Sequence, residues 1–326
     1  MRRREFLGAL GVAAAAWPLA ARAQQPVPVI GYVHVATTAA TAQNLVAFRR
    51  ALSEAGFVEG QNVSIEYRYA EGRFDRLPAL ATELVNRRVS VIVAAGGSTA
   101  AVQAATTTIP IVGMSGGDPV QAGFVQSLNR PGGNITGIVL FTKTLGSKRF
   151  EMLREAVPGA KLMAVLFNPS QLDSEAKADL AAVEEAARSV GQKILVLETD
   201  GESQFDAAFA TMVRQGAGSL LVMSSPYFQS RSVQLVELAA RHAIPAIYES
   251  RGVAAAGGLM SYGISFLDAY RQVGIYTGRL LKGENPAELP MQQLVKVEFV
   301  INLKTAEALG LTFPLPLLGR ADEVIE

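Results

Sequence analysis

The chain has 326 residues, of which 49% are hydrophobic and 18% charged, so it can bury a large core and form about two domains. Its lysines and arginines are scattered and leave a net charge of +1, which predicts no nucleic-acid partner. The absence of cysteine excludes disulfides, thiolate metal sites and a cysteine nucleophile, and two histidines offer little for zinc binding or histidine catalysis.

Residues 1–23 have the layout of a secretory signal peptide: a cationic start, an uncharged apolar stretch from Phe6 to Ala21, and an A-x-A-like cleavage site. Within them, "RREFL" (residues 3–7) is similar to the bacterial twin-arginine export signal. A membrane anchor is the alternative, but the stretch is short and rich in alanine. No cysteine follows it, which argues against a lipoprotein. We therefore expect an exported, soluble periplasmic protein that begins near Gln24.

Strand-like and helix-like segments alternate from residue 27 onward. The unbroken apolar run "VPVIGYVHV" predicts a strand over 27–35 in a sheet covered on both faces. Helical periodicity then predicts a helix over 42–57. Further strands are predicted over 63–70, 89–96 and 109–115, with helices over 77–88 and 98–106. This βαβα order implies a parallel sheet with crossover helices.

The pattern repeats after a turn-rich, then strand-like stretch at 130–146. Strands are predicted over 161–168, 193–199, 218–225 and 244–250, with helices near 172–190, 203–215 and 229–242. A further helix with apolar positions from Tyr270 to Leu280, and then a strand and short helix within 292–311, suggest that the chain crosses back twice.

The predicted fold class is α/β, with two doubly wound parallel-sheet lobes joined by a multi-strand hinge. The first lobe is predicted to comprise residues 27–138 and about 265–285. The second lobe is predicted to comprise residues 139–264 and about 286–326.

Ligands of open parallel sheets bind at the carboxyl ends of the strands, where this sequence places Gly96-Gly97 followed by Ser98 and Thr99. A strand that enters a helix through glycines presents backbone N–H groups to an anion, either a pyrophosphate or a carboxylate. The hydroxyls and amides of Ser98 and Thr99 are suited to a carboxylate. Alternatively, both residues are ordinary helix caps whose oxygens turn toward the helix.

Asp118 follows the next predicted strand and is a candidate partner for an ammonium group. Because Pro119 comes next, Asp118 is also a typical helix N-cap. The other candidate ligand-binding residues follow further strand ends and are Thr37, Thr38, Asn168, Ser224, Ser225, Tyr227 and Glu249.

No enzyme motif accompanies these residues. The turn after the first strand, "VATTAAT", lacks the glycines of the dinucleotide fingerprint, and neither a P-loop nor a G-x-S-x-G elbow is present. His34 ends a strand and His242 ends a helix, positions typical of a wall residue and a helix-terminal cation. We expect no catalytic residue, no cofactor and no bound metal, and the cofactor-poor, exported chain favours the carboxylate over the pyrophosphate.

Several stretches resemble the ABC-transporter substrate-binding proteins, a family of the type I periplasmic binding protein fold that includes tryptophan- and tyrosine-type amino-acid binders. They are "LSEAGFVEGQNVSIEYRYAEG", "GGDPVQAGFVQSLNRPGGNITGI", "GGLMSYG" and "FVINLKTAEALGLTFPLPLLGRADEVIE". The resemblance covers essentially the whole mature chain. It implies two lobes that close on a small ligand and then dock on a membrane permease. It also implies a ligand carboxylate at Ser98 and Thr99 and an ammonium near Asp118.

The sequence therefore predicts a monomeric solute receptor of an ABC importer, with a small-molecule ligand and an inner-membrane permease as partners. The expected ligand carries a carboxylate and is an amino acid or an aromatic acid. A periplasmic sensor module for a membrane receptor would use the same site and remains an alternative. A cleft enzyme is the third possibility, and it would need a nucleophile pair or cofactor that the motifs do not provide.

Overall fold

The computed structural model describes residues 27–169, 174–201 and 203–326, and the predicted export signal at 1–23 lies outside them. The described strands are β1 (Val29–His34), β2 (Ser64–Tyr69), β3 (Val91–Ala95), β4 (Ile111–Ser115), β5 (Ile135–Val139), β6 (Leu162–Phe167), β7 (Lys193–Glu198), β8 (Ser219–Val222), β9 (Ala246–Tyr248), β10 (Met260–Ile264), β11 (Gln292–Gln293), β12 (Val297–Asn302) and β13 (Glu323–Ile325). The described helices are α1 (Thr38–Glu54), α2 (Leu77–Asn86), α3 (Thr99–Ala105), α4 (Gly146–Ala156), α5 (Ser174–Ser189), α6 (Ser203–Gln215), α7 (Pro226–Ser230), α8 (Ser232–Arg241), α9 (Arg251–Ala255), α10 (Phe266–Leu281), α11 (Leu303–Ala308) and α12 (Leu315–Leu318).

The first lobe is built on a six-stranded sheet in the order β11-β5-β4-β3-β1-β2, and all its strand pairs are parallel. Strands β3, β4 and β5 are buried along their whole length. One core cluster joins this sheet to α1 and α10, and another joins its opposite face to α2 and α3. The sheet is therefore covered on both faces, as its continuous apolar strands require.

The second lobe is built on a seven-stranded sheet in the order β13-β12-β10-β9-β8-β6-β7. Its pairs are parallel except for β10 with β12, which is antiparallel. Helices α4 and α5 cover one face, and α6, α7 and α8 cover the other. Two sheets with helices on both faces confirm the predicted α/β, doubly wound fold class.

Helix α10 returns to the first lobe and packs directly on α1 through two glycines. A Cβ at Gly274 would lie 2.5 Å from the carbonyl oxygen of Phe48, and a Cβ at Gly278 would lie 2.5 Å from Cβ of Ala55. Because neither glycine has a side chain, the two helix backbones approach more closely than larger residues would allow. The close packing anchors residues 266–281 to the first sheet.

The chain crosses between the two sheets three times. It leaves the first sheet after β5, returns after β10, and leaves again between β11 and β12. The last crossing comes later than the predicted boundary near residue 286, since residues up to Leu294 stay with the first lobe. There Met291 N donates to Leu128 O (2.8 Å) and Leu294 N donates to Val139 O (2.9 Å). Leu289, Met291 and Leu294 are buried in the first-lobe core, so their apolar side chains hold the segment in place.

The helix predicted over 42–57 also begins earlier, at Thr38. The hydroxyl of Thr37 accepts a hydrogen bond from Ala40 N (3.3 Å) and caps the first turn. Small residues that suggested a loop therefore form the start of α1. Helix α4, with apolar Phe150, Met152 and Leu153 buried, was not predicted.

Candidate ligand-binding cleft

A cleft of about 1110 Å³ lies between the lobes, where the carboxyl ends of strands from both sheets meet. His34, Gly96 and Ser115 line it from the first lobe, at the ends of β1, β3 and β4. Ser224 and Glu249 line it from the second lobe, at the ends of β8 and β9. The volume is slightly above the range that small-molecule sites occupy, about 300–1,000 Å³.

The turn between β3 and α3 forms one wall of the cleft. Gly96 and Gly97 both adopt the left-handed conformation, with φ of +59° and +86°. A Cβ at Gly96 would overlap the imidazole of His34, so the first glycine also permits a close approach of that ring. Thr99 and Ala100 at the start of α3 line the cleft.

The hydroxyls of Ser98 and Thr99 serve the fold rather than the cleft. Ser98 is fully buried, and its hydroxyl lies 2.9 Å from Ala95 O and 3.1 Å from Val33 O. The Thr99 hydroxyl lies 3.1 Å from Met114 O and ties α3 to β4. Ser98 therefore lies behind the cleft wall. Thr99 lines the cleft, but its hydroxyl already donates a hydrogen bond to Met114 O.

The N-terminus of α3 has no side-chain cap, because the Ser98 hydroxyl turns away from it. The first N–H groups of a helix have no intrahelical partner, and they carry the positive end of the helix dipole. The sequence predicted both the hydroxyls and the amides of Ser98 and Thr99 as donors to a carboxylate. Because the two hydroxyls are engaged elsewhere, the backbone amides at the start of α3 are the remaining candidate donors.

Thr37 and Thr38 do not line the cleft as the structure describes it. Thr37 is engaged as the cap of α1, and Thr38 is exposed. The next residues of the helix lie at the cleft instead, among them Thr41, Gln43 and Asn44. The segment after β1 thus borders the cleft through residues beyond Thr38.

Asp118 lines the cleft and also caps the turn that follows it. Its Oδ1 accepts hydrogen bonds from Val120 N (2.8 Å) and Gln121 N (3.3 Å), which is the capping role considered as the alternative. Its own backbone N–H donates to Oε1 of Glu175 in the second lobe, at 2.5 Å. Glu175 is a cleft residue that the sequence analysis missed.

The predicted second-lobe residues divide between the cleft and the core. Ser224, Ser225 and Glu249 line the cleft, while Asn168 is buried outside its lining. Tyr227 is also buried outside the lining, with its ring 5.8 Å from that of Phe205.

Ser224 and Ser225, the two predicted serines that line the cleft, both have structural roles. Ser225 caps α7 by accepting a hydrogen bond from Tyr227 N (3.2 Å). The Ser224 hydroxyl donates to Thr142 O (3.0 Å) and accepts from Nη2 of Arg149 (2.8 Å).

Arg149 is fully buried beneath Ser224 and was not predicted as a site residue. Its guanidinium also donates to Thr142 O at 3.0 Å. Burial lowers the pKa of Arg149, and the nearby charges of Glu249 and Asp179 oppose that shift. Its position in the helical pattern "SKRFEMLREA" gave no signal of this role, because a buried arginine and a surface arginine have the same spacing.

His34 is a buried wall residue. Its Nδ1 accepts from Ala36 N (2.8 Å), so the ring proton lies on Nε2, which donates to the hydroxyl of Tyr270 (2.8 Å). Burial lowers the pKa of His34 to about 4, so the ring is neutral at physiological pH. This neutral ring cannot supply a positive charge to a bound anion.

Aromatic side chains add apolar surface to the cleft. Phe74, Phe124, Phe266 and Tyr270 all lie in its lining. Phe74 is 37% exposed and contacts the Gly97 turn, where a Cβ would lie 3.2 Å from its Cε1. Such rings provide flat surfaces against which an aromatic ligand can pack.

The described residues contain neither a metal-binding cluster nor a membrane-spanning helix. No group of three or more His, Cys, Asp or Glu side chains there is arranged to hold a metal ion. Among the described helices, none has the length and apolar character needed to cross a bilayer.

Two doubly wound lobes around a cleft at their strand ends are the fold of type I periplasmic binding proteins. The chain belongs to the ABC transporter substrate-binding protein family, whose model matches residues 32–325.

Three proteins are similar to this chain in sequence or in fold. A tyrosine-binding protein of Clostridioides difficile (strain R20291) is 27% identical over 268 residues, which is 81% of this chain and 75% of that protein. A domain from Streptococcus pneumonia in complex with L-Trp is 22% identical with a TM-score of 0.80, over 91% of this chain and 99% of that one. A ligand-free, open substrate-binding protein with adhesive properties from Clostridium difficile is 24% identical with a TM-score of 0.63, over 92% and 99%.

Proposed function

We propose that this protein is the periplasmic solute-binding component of an ABC importer, and that it binds an amino acid or aromatic acid between its lobes. The observation that carries the proposal is the uncapped start of α3 at the wall of a cleft of about 1110 Å³. Helix N-termini of this kind bind carboxylates through backbone N–H groups.

In this proposal the ligand carboxylate binds the amides of Thr99 and Ala100. Asp118, which also lines the cleft, is the candidate partner of an ammonium group. An aromatic ligand side chain would pack against Phe74 or Tyr270, which lie on the same cleft. The bound tryptophan of one relative and the name of the tyrosine-binding relative support an aromatic amino acid as the first ligand to test.

The arrangement of the lobes supports closure as the binding motion. At nearly equal sequence identity and coverage, the TM-score is 0.80 with the tryptophan complex and 0.63 with the open, ligand-free protein. The lobes of this chain are therefore arranged more as in the tryptophan complex than as in the open protein. Closure completes the contacts to the ligand from both lobes, and the closed form is the one that a permease would recognise. We further propose that the protein is exported through its twin-arginine-like signal and acts as a soluble monomer.

Calorimetric titration of the purified mature protein tests the ligand class. We expect L-tryptophan or L-tyrosine to bind, and tryptamine, which has the ring and ammonium of tryptophan without the carboxylate, to bind at least tenfold more weakly. Equal affinity for L-tryptophan and tryptamine would show that no carboxylate site exists at α3. Chemical conversion of the bound ligand would contradict a solute-binding role.

The importer role needs a separate experiment. Proteoliposomes that contain the cognate permease and ATPase should take up the ligand only when this protein is added. ATP-dependent uptake at the same rate without it would contradict the role, and so would uptake that fails with the protein present and the ligand bound.

A further inference from the structure

The two lobes touch across the cleft at three first-lobe glycines. A Cβ at Gly72 would lie 2.8 Å from the guanidinium carbon of Arg231, and a Cβ at Gly97 would lie 3.3 Å from Cβ of Pro226. A Cβ at Gly117 would overlap Oε2 of Glu175. Second-lobe side chains therefore rest directly on first-lobe backbone.

At the Gly117 contact, a carboxylate also accepts a hydrogen bond across the cleft. Glu175 Oε1 accepts the backbone N–H of Asp118 at 2.5 Å, while its other oxygen lies over Gly117. Hydrogen bonds from a backbone N–H to a carboxylate are about twice as strong as those between neutral groups. Asp118's own carboxylate is engaged by Val120 N and Gln121 N, so the two acidic groups use different amides of the same turn.

The position of Glu175 in its helix does not account for this contact. An acidic residue in the first turn of α5 is favourable for the dipole of that helix. The dipole effect requires only that the carboxylate lie near the N-terminus of α5. It does not explain why the Glu175 side chain extends to the backbone of the other lobe. The cross-cleft hydrogen bond needs Gly117 to have no side chain.

We propose that Glu175 is a latch: from the second lobe, its carboxylate binds the Gly117–Asp118 backbone and stabilises the closed arrangement before any ligand arrives. This inference deepens the proposed function and rests on it, since closure is taken as the binding motion. The glycine at 117 is then a contact point for the opposite lobe rather than part of a ligand-anion loop.

The latch has a defined effect on affinity. When only the closed form binds, the apparent dissociation constant equals the intrinsic constant divided by the closed fraction. Removing one charge-assisted hydrogen bond lowers that fraction, and we expect about 3- to 30-fold weaker binding of L-tryptophan or L-tyrosine. If Glu175 instead occupied the ligand's own anion site, its removal would strengthen binding.

Two variants, Gly117→Ala in the first lobe and Glu175→Ala in the second, should each remove the contact between Glu175 and the Gly117–Asp118 backbone. Gly117 does not have a left-handed φ, so alanine adds only the methyl group that would displace Glu175. Gly133→Ala is the matched control, since a Cβ there meets nothing within 4 Å. Small-angle X-ray scattering of the ligand-free proteins measures the radius of gyration, and thermal melting confirms that each variant is folded.

We expect both single variants and the double variant to show the same larger radius of gyration, with Gly133→Ala at the wild-type value. Equal effects of the single and double changes are the signature of one shared contact. A wild-type radius of gyration in Glu175→Ala, or tighter ligand binding, would overturn the latch. If wild-type protein binds neither amino acid, the proposed ligand class fails while the scattering comparison still decides the latch.

Discussion

The buried carboxyl group of Asp179 makes the stability of the second lobe depend on pH. Asp179 is 5% exposed, and its Oδ1 accepts a hydrogen bond from Gly146 N at 3.0 Å. Burial raises its pKa to about 6, although the charge of Arg149 and the Gly146 hydrogen bond oppose the shift. The folded protein therefore keeps this proton to a higher pH than the unfolded chain, and stability falls as the pH rises from about 4 to about 6.

The shift from 3.8 to about 6 is about two pKa units, so ionised Asp179 destabilises the fold by about 3 kcal/mol above pH 7. Asp179→Asn removes the charge and keeps an oxygen acceptor for Gly146 N. We expect the variant to be more stable than wild type at pH 7.5, by up to about 3 kcal/mol. The advantage should shrink by about 2 kcal/mol at pH 4.5, where folded Asp179 is protonated.

Urea unfolding at several pH values between 4.5 and 7.5 measures this difference, and subtracting wild type removes the titration of all unchanged groups. Asp206→Asn is the control, because Asp206 lies on an exposed part of α6. A stability difference for Asp179→Asn that stays constant with pH, or that favours wild type at pH 7.5, would refute the reasoning.

Ser98→Ala should lower the free energy of unfolding by about 1–3 kcal/mol, because it leaves buried carbonyl groups without their donor. Calorimetry of the same variant should show unchanged ligand affinity. A loss of affinity without a loss of stability would indicate that the Ser98 hydroxyl contacts the ligand. Gly274→Ala should destabilise by about 1–3 kcal/mol through overpacking against α1, as urea denaturation can show. Gly252→Ala is the control and should not destabilise the protein, because a Cβ there meets nothing within 4 Å. An equal loss of stability in both variants would contradict overpacking as the cause. Replacing Arg3 and Arg4 by lysine should leave the precursor in the cytoplasm, and normal periplasmic recovery in cell fractionation would contradict export through the twin-arginine route.

Much of the fold was predictable because the buried strands are continuous apolar runs. Segments such as "VIVAA" and "LMAVLF" have the composition that a sheet covered on both faces requires, and the structure places them as β3 and β6. The short segment β11 was assigned to the wrong lobe, because two residues give no periodicity. Its place is determined by Leu289 and Met291, which fill the first-lobe core.

The cleft was predictable as a location and less so as a set of side chains. Gly96, Ser224 and Glu249 follow predicted strands and line the cleft, since parallel strands direct their carboxyl ends to one edge. The direction of the Ser98 hydroxyl depends on carbonyl groups of two neighbouring strands, which no local pattern specifies. Glu175 meets Asp118 only because the lobes approach each other, so its role exists in the tertiary structure alone.

A distance measurement across the hinge tests most directly whether the lobes close on a ligand. The chain contains no cysteine, so spin labels attach only at cysteines introduced in place of Val46 and Val213, which are 65% and 54% exposed on opposite lobes. Pulsed electron paramagnetic resonance should show a minor long-distance population that saturating L-tryptophan or L-tyrosine removes. A distance distribution that stays the same when calorimetry shows full occupancy would contradict closure as the basis of binding.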